Sequence, residues 1–339
     1  FFFFFFFLPP DAVVLITDFG SGILPELEQL NKSEREIFVL DHHQIQDTPS
    51  VHIHLVNPLE FGINGSLECS ASIVCALFSR ALGEENQDLS ALGCLGAFGD
   101  GHAIESGDNA FHHSVLHQAE ECGMAKRDGS LEIYSAGKFQ HAKNLKSALD
   151  VLGSYAYFQK GPDIALKGLR DGFDSRYHAI AEDFQRKYES EMVDLLKFPL
   201  QTVGQFIQHF NLDDHFLGAG VKTVGLACER FSSAPNTDPS RIIVGFQRVP
   251  ASIPGLGDLD LTGEKVSFRF PPALWKKVEQ GQFPDFTRVV RGAAEKAHGL
   301  VDGCHRHAAA LLLPLGNREE FLACLDNVIS AWKISHSRS

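Results

Sequence analysis

The sequence predicts an α/β protein in two parts: a parallel-sheet domain joined by a long helix to a smaller mixed α/β domain. Three observations predict it. The first half alternates short β-branched runs with helical stretches, the pattern of a parallel sheet covered by helices. Ile180, Phe184, Tyr188, Met192 and Leu196 recur at spacings of four with charges between them, which is one apolar stripe of a long amphipathic helix. Beyond that helix, strand-like and helical runs resume in mixed order. The boundaries read from these patterns are 11–178, 179–198 for the connecting helix, and 199–334. With 339 residues, 44% of them hydrophobic, the chain is long enough for two cores at about 100–200 residues per domain.

Taken in order, Asp11 to Thr17 (DAVVLIT) reads as a buried strand and Ile23 to Leu30 as a short helix. Glu36 to Leu40 (EIFVL) is a second strand, and Val51 to Val56 (VHIHLV) a third with alternating histidines. Ser70 to Leu82 is an apolar helix rich in small residues, and Leu89 to Phe98 is a further apolar run that closes on Gly99-Asp100. After the long helix, Val221 to Ala227, Arg241 to Phe246 and Lys265 to Phe270 read as strands. Helices follow near Asp285 to His298 and Glu319 to Trp332, and the polar tail from Ser335 is expected to fray. Phe1 to Phe7 has neither helical nor strand periodicity. It is read as placeholder residues or a damaged chain start, with a buried strand as the alternative.

Composition narrows the function classes. A formal net charge of −13 argues against a broad grip on duplex nucleic acid, which needs many Lys and Arg contacts to phosphate. Seven cysteines without a CxxC pair read as reduced cytoplasmic thiols. No uninterrupted apolar window of about 18 residues is present, so a soluble protein is expected.

The informative cluster is Asp41-His42-His43, directly after the strand EIFVL. Crowding three metal- or proton-competent side chains at one strand end is costly unless something uses them. By itself the triplet could equally be a solvated loop with incidental histidines, like the milder groupings at His112-His113 and at His305 and His307. Its company decides: Asp18 follows the preceding strand in ITDFGSG, and Asp100 closes GCLGAFGD. Such an oxygen and nitrogen ligand set suits Mn²⁺, Mg²⁺ or Zn²⁺. Two such ions can clamp a phosphodiester, one activating water and the other stabilising the developing charge.

These residues and their order resemble the DHH phosphoesterase superfamily, and within it the archaeal RecJ-like proteins that carry a C-terminal DHH-associated domain. The likeness runs from Asp11 onward. It implies that Asp18, His42 and Asp100 are metal ligands, that His43 contacts the scissile phosphate, and that Asp41 orients the histidines through hydrogen bonds. It further implies two Mn²⁺ (or Mg²⁺) ions in the complete enzyme. The stretch from Asn57-Pro58 through FGINGSLECSAS resembles the family's lead into its next helix. There Asn57 and Ser70 read equally as substrate contacts or as a turn residue and a helix cap. In the second half, VDGCHRHAAA (Val301 to Ala310) resembles the family's GGH-type loop. That likeness gives Gly303 and His305 a phosphate-holding role, assisted by the N-terminus of a following helix, with Cys304 standing where a glycine is common. KVSFRFP (Lys265 to Pro271) resembles the strand with a phosphate-binding Arg, which would be Arg269, with Ser267 as a further substrate contact.

The activity so implied is a metal-dependent phosphodiesterase or nuclease. It would hydrolyse short single-stranded RNA or DNA, or dinucleotides, gripped between the two domains. The alternative is a non-catalytic DHH-fold scaffold or nucleic-acid-binding protein of a replication or repair complex, and a homodimer or such a partner is compatible with either. One departure stands out. Family members begin with a strand and a HxDxDG-type motif, and Phe1 to Pro10 contain no such ligands, so the first metal motif is expected to be missing from the chain as given.

Overall fold

The computed structural model describes Pro9 and residues 11–106, 109–212, 215–216, 218–253, 257–258 and 263–336. The reading of Phe1 to Phe7 lies outside the described residues. The chain divides into two compact units: residues up to Asp150 with Asp163–Glu182, and Val151–Pro162 with the residues from Asp183 on.

The first unit is built on a parallel sheet of β1 (Val14–Thr17), β2 (Ile37–Leu40) and β3 (Ile53–Val56), in that spatial order. The short helix α1 (Leu24–Leu30) connects the first two strands, with Pro25 in its first turn, where a missing N–H costs nothing. β2 is central, and Ile37, Val39 and Leu40 are all buried. β1 departs from the expected buried strand. Among the described residues it pairs along one edge only, so Ile16 is buried while Leu15 is 54% exposed.

Against this sheet stands a helical layer of α2 (Ala71–Leu82), α3 (Ser90–Gly99) and α4 (Ala110–Glu121). The small residues of α2 and α3 let the two helices approach closely: a Cβ on Gly96 would lie 2.5 Å from the Cβ of Ser72. An antiparallel sheet of β4 (Ala125–Arg127), β5 (Leu131–Ser135) and β6 (Lys138–His141) follows, then α5 (Ala142–Gly153) and α6 (Gly161–Asp171). The connecting helix is observed as α7 (Ser175–Leu195), which contributes its first turns to one unit and its remainder to the other.

The second unit is a six-stranded mixed sheet in the order β13-β14-β12-β9-β8-β7. Its strands are β7 (Gln201–Val203), β8 (Ile207–Asn211), β9 (Ile242–Arg248), β12 (Gly263–Arg269), β13 (Leu300–Cys304) and β14 (Ala308–Pro314). Only β8 and β9 run parallel. A two-residue pair, β10 (Ser252–Ile253) with β11 (Gly257–Asp258), lies between β9 and β12 in sequence. The core joins Val244, Phe246, Val266, Phe268 and Leu311 of the sheet to helices α9 (Pro272–Glu279), α10 (Phe286–Lys296) and α11 (Arg318–His336). In it the rings of Phe270 and Phe286 stack at 3.9 Å.

Three expectations are corrected here. Val221 to Ala227 is not a strand but the start of helix α8 (Thr223–Ser232), whose buried residues Thr223, Val224, Ala227, Cys228 and Phe231 follow helical spacing. The β-branched run VKTV masked that period. Val301 to Ala310 is not a loop leading into a helix. It is a β-hairpin, because AAALLLP alternates buried and half-buried residues as a strand does, so no helix terminus stands ready for an anion there. Ser335 and His336 do not fray but continue α11, with Trp332 and His336 stacked at 4.1 Å.

None of the described helices is long and apolar enough to cross a membrane. All seven cysteines are free thiols. Burial pushes Cys94, Cys228 and Cys304 up to about 12, far from the thiolate range that redox chemistry requires.

Candidate metal centre

The end of β2 places Asp41 where its carboxylate is fully enclosed. Its Oδ2 accepts the Ser21 N–H at 2.9 Å. Its Oδ1 accepts the backbone N–H groups of His42 (2.8 Å) and His43 (3.3 Å) and lies 2.7 Å from Nδ1 of His43. Burial works to raise its pKa, but the His43 ring and Ser21 outweigh it and hold the carboxyl well below the usual carboxylate range. Asp41 therefore ties the ends of two segments together and fixes the His43 ring, whose Nδ1–H it receives. Asn57 serves the same scaffold. It is fully buried, donates to the Ser21 hydroxyl (2.8 Å) and the His43 carbonyl (2.9 Å), and accepts from the Leu59 N–H (3.0 Å). These three bonds occupy the amide that the sequence offered for substrate. The Ser70 hydroxyl, 2.8 Å from that of Ser72, makes no capping bond to α2.

His42 lies beneath this loop, with Nδ1 2.8 Å from the carbonyl oxygen of Gly65. A Cβ on residue 65 would sit 2.2 Å from the His42 carbonyl oxygen, so only glycine allows the two backbones to meet. With Nδ1–H donating to Gly65, Nε2 faces Asp18 Oδ1 at 3.3 Å. Asp18 occupies left-handed backbone (φ 57°), a conformation that Asp tolerates better than most residues. Its N–H donates to the Leu40 carbonyl, which fixes it at the C-terminal edge of the sheet, where open α/β sheets place their ligands.

Asp100 arrives from the other side as the C-cap of α3. Its Oδ2 stands 3.6 Å from Nδ1 of His42 and 3.4 Å from Nε2 of His102. Burial works against a charge on His42, but Asp18, Asp100 and the Gly65 carbonyl prevail and raise it to about 9. The site thus presents an excess of negative potential directed at one imidazole, which is an environment suited to a cation.

His102 and its neighbour His112 were not singled out in the sequence as site residues. His102 is buried and its Nδ1 lies 3.2 Å from Nε2 of His112, on the first turn of α4. Burial, together with the His102 ring, holds His112 below the ordinary histidine range. The signal available in the sequence was a D-x-H spacing at the end of an apolar helix. Within the first unit, two ligand groups have members within 4.8 Å of one another: His42 with Asp100 and His102, and Asp18 with Asp41 and His43. These residues fit a divalent ion on three counts. The donors are oxygen and imidazole nitrogen, His42 is held from behind by a carbonyl as metal-ligating histidines are, and Nε2 of His102 is a buried nitrogen without a hydrogen-bond partner.

In the second unit Arg269 and Ser267 lie two apart on β12 and share a face of the sheet. Ser267 pairs with Ala310, which pairs in turn with Gly303, while Arg269 pairs with Ala308. The His305 N–H closes the hairpin onto the Ala308 carbonyl at 2.8 Å. Of the four residues named from the sequence, Arg269 and Ser267 thus lie on β12, Gly303 on β13, and His305 in the turn joining β13 to β14, the strand that stands between the other two. Arg269 is half-buried, and its Nη1 donates to the Phe268 carbonyl. Ser267 is buried, and its carbonyl accepts from Cys228 of α8.

A parallel sheet whose central strand ends in Asp-His-His, with a carboxylate closing in from the following helices and a separate mixed sheet in the second unit, is the architecture of DHH-domain proteins. Solved structures that carry that name or that of RecJ are among those it matches. The DHH domain of a member of the s1p family of ribosomal proteins matches with a TM-score of 0.56 and 18% identity, covering 93% of this chain and 69% of that one. RecJ from Thermus thermophilus in complex with Mn²⁺ matches with a TM-score of 0.54 and 15% identity, covering 94% and 45%. An exonuclease RecJ bound to manganese matches with a TM-score of 0.50 and 15% identity, covering 94% and 75%. The chain therefore has the DHH-domain fold, in its RecJ-like form. No protein-family model matches the chain. An uncharacterized protein of Methanocaldococcus jannaschii is 38% identical over 89 residues, which amount to 25% of this chain and 19% of that protein. The match thus spans less than a fifth of the curated relative.

Proposed function

We propose that this protein is a metal-dependent phosphoesterase that hydrolyses phosphodiester bonds of short single-stranded oligonucleotides or dinucleotides. The observation that carries the reading is that two carboxylates address the buried His42 ring, Asp18 at Nε2 and Asp100 at Nδ1, beside a pre-oriented His43. Asp18, His42 and Asp100 would hold Mn²⁺ or Mg²⁺, two ions in the complete site. When bound, such ions stabilise charge on a phosphoryl oxygen and lower the pKa of a coordinated water.

The remaining work falls to the side chains. Asp41 keeps the Nδ1–H of His43 turned inward, which leaves Nε2 to meet the scissile phosphate; in its protonated form that nitrogen donates to a non-bridging oxygen. Gly65 keeps His42 in the tautomer that directs Nε2 toward Asp18. Arg269 would grip a phosphate of the substrate, with Ser267, Gly303 and His305 around it. The strongly acidic chain favours short substrates over long duplexes, whose binding grows with the number of cationic contacts.

The test is hydrolysis of labelled dinucleotides and short RNA and DNA oligomers with Mn²⁺ or Mg²⁺, set against the same reactions in chelator. Activity that requires metal and is abolished by Asp18→Ala and by His42→Ala is expected. Full activity in Asp18→Ala would overturn the metal assignment. Cation binding with no hydrolysis of any of these substrates would overturn the phosphoesterase reading.

A further inference from the structure

We propose that His102 is a direct metal ligand, which makes Asp100, His102 and His42 one nitrogen-rich divalent-cation site. The inference rests on the metal-dependent reading above and deepens it, because it assigns the ion a second imidazole and with it a preference among ions.

Four observations converge on it. The His102 side chain is fully buried, and its Nε2 has no hydrogen-bond partner. Buried polar atoms in folded proteins are nearly always paired, and an exception calls for an explanation such as an ion. Nε2 of His102 stands 3.4 Å from Oδ2 of Asp100, long for a charge-assisted hydrogen bond. Two ligands of one ion with bonds of about 2.0–2.2 Å stand about 3.0–3.6 Å apart. One ligand atom from each of His42, Asp100 and His102 lies within 4.8 Å of the others.

The fourth observation is what stands behind the ring. Nδ1 of His102 is 3.2 Å from Nε2 of His112. When Nδ1–H donates to His112, the lone pair of Nε2 is directed at Asp100, an arrangement that is repulsive until a cation enters. Metal-binding histidines have this kind of support, with the second ring nitrogen donating to a neighbour. The backbone enforces the pairing: the His102 N–H donates to the Ala97 carbonyl at 3.0 Å, and Gly101 turns at φ 82° between the two ligands. His112 is held in turn, because the Asn109 side chain accepts its N–H at 3.0 Å.

A second imidazole shifts ion preference. Mg²⁺ keeps to carboxylate and water oxygens, whereas imidazole suits Zn²⁺ and other first-row transition ions, with Mn²⁺ the weakest of that series. The site is therefore assigned to a divalent transition ion, with His102 as the residue that discriminates against Mg²⁺.

The experiment is cation binding by the full chain, measured by calorimetry for Mn²⁺, Zn²⁺ and Mg²⁺, before and after His102→Gln. A loss of about tenfold or more for Mn²⁺ and Zn²⁺ with little change for Mg²⁺ is expected. Because that variant disturbs a buried position, a second measurement uses the unaltered chain. Histidine ring ¹⁵N shifts are followed during Zn²⁺ titration, and Nε2 of both His42 and His102 should move together. Zn²⁺ binding that moves His42 and leaves His102 in place, or unchanged Mn²⁺ affinity in a folded His102→Gln protein, would overturn this inference alone. Absence of any cation binding by the unaltered chain would overturn it together with the functional reading on which it rests.

Discussion

The carbonyl oxygen of Gly65 lies 2.8 Å from Nδ1 of His42, and a Cβ at residue 65 would lie 2.2 Å from the carbonyl oxygen of His42 itself. The bond that orients this histidine therefore depends on the absence of a side chain 23 residues away. Gly65→Ala must push the two segments apart and release the ring. Because partners behind a ligand typically matter about 10–100-fold in metal affinity, a weakening of at least tenfold is expected by calorimetry with Mn²⁺. Unchanged affinity would show that the Gly65 contact does not set the geometry of His42.

Asp41 yields the next prediction. Its two oxygens receive three backbone N–H groups and face the His43 ring. Asp41→Asn turns an NH₂ toward these donors whichever way the amide is placed. The expected loss of stability is about 2–4 kcal/mol, as for a buried charge-assisted network broken at one member. Urea denaturation of the folded variant measures it. A loss below about 1 kcal/mol would mean that the loop rearranges to find other acceptors.

The contrast between Asp41 and Gly65 also explains how much could be read in advance. Asp18, Asp41, His42, His43 and Asp100 were legible because chemistry-bearing residues at strand or helix ends need no knowledge of the rest of the fold. The strand–helix alternation around them was legible for the same local reason. Gly65 was not, since it acts across the fold through a backbone contact with His42, and the D-x-H spacing of His102 gains its meaning only when α4 sets His112 behind the ring. Helix α8 was read as a strand because Val221-Lys222-Thr223-Val224 has β-branched residues within too short a window to reveal a period of 3.6. The strand Ile207–Asn211 was overlooked because IQHFN mixes polar and apolar residues, and its burial on both faces comes from the second unit's own packing.

The raised pKa of His42 makes the metal-free chain sensitive to pH. Burial opposes the charge, but Asp18, Asp100 and the Gly65 carbonyl favour it, and the pKa rises from 6.5 to about 9. A group whose folded pKa is raised contributes stability that is complete below its unfolded pKa and disappears as pH climbs through the folded one. In chelator, stability should fall between about pH 6.5 and 9 by on the order of 3 kcal/mol at most. Saturating Mn²⁺ should remove or invert that slope, because the ion takes the place of the proton. Denaturation across this range, with and without metal, decides the matter; a flat profile in chelator would mean that His42 is not held as an imidazolium.

Arg269 supplies the last test, one that separates binding from chemistry. It shares a strand face with Ser267; on the β14 side the facing partners of this pair are Ala308 and Ala310, with Gly303 beyond, and on the β9 side they are Ile243 and Gly245. The small neighbours on the β14 side leave room for an anionic group beside the guanidinium, and a planar fork can hold a phosphate through two bonds at once. If Arg269 grips a phosphate remote from the reacting bond, its interaction is the same in the bound substrate and in the transition state. Arg269→Ala should then raise KM about tenfold, equivalent to about 1.4 kcal/mol, and leave kcat nearly unchanged. Arg269→Lys should fall between the two, since an ammonium keeps the charge but not the fork. Steady-state kinetics on a short oligonucleotide measure the split. An equal fall in kcat and kcat/KM would instead place Arg269 against the reacting phosphate, as a residue that acts only in the transition state.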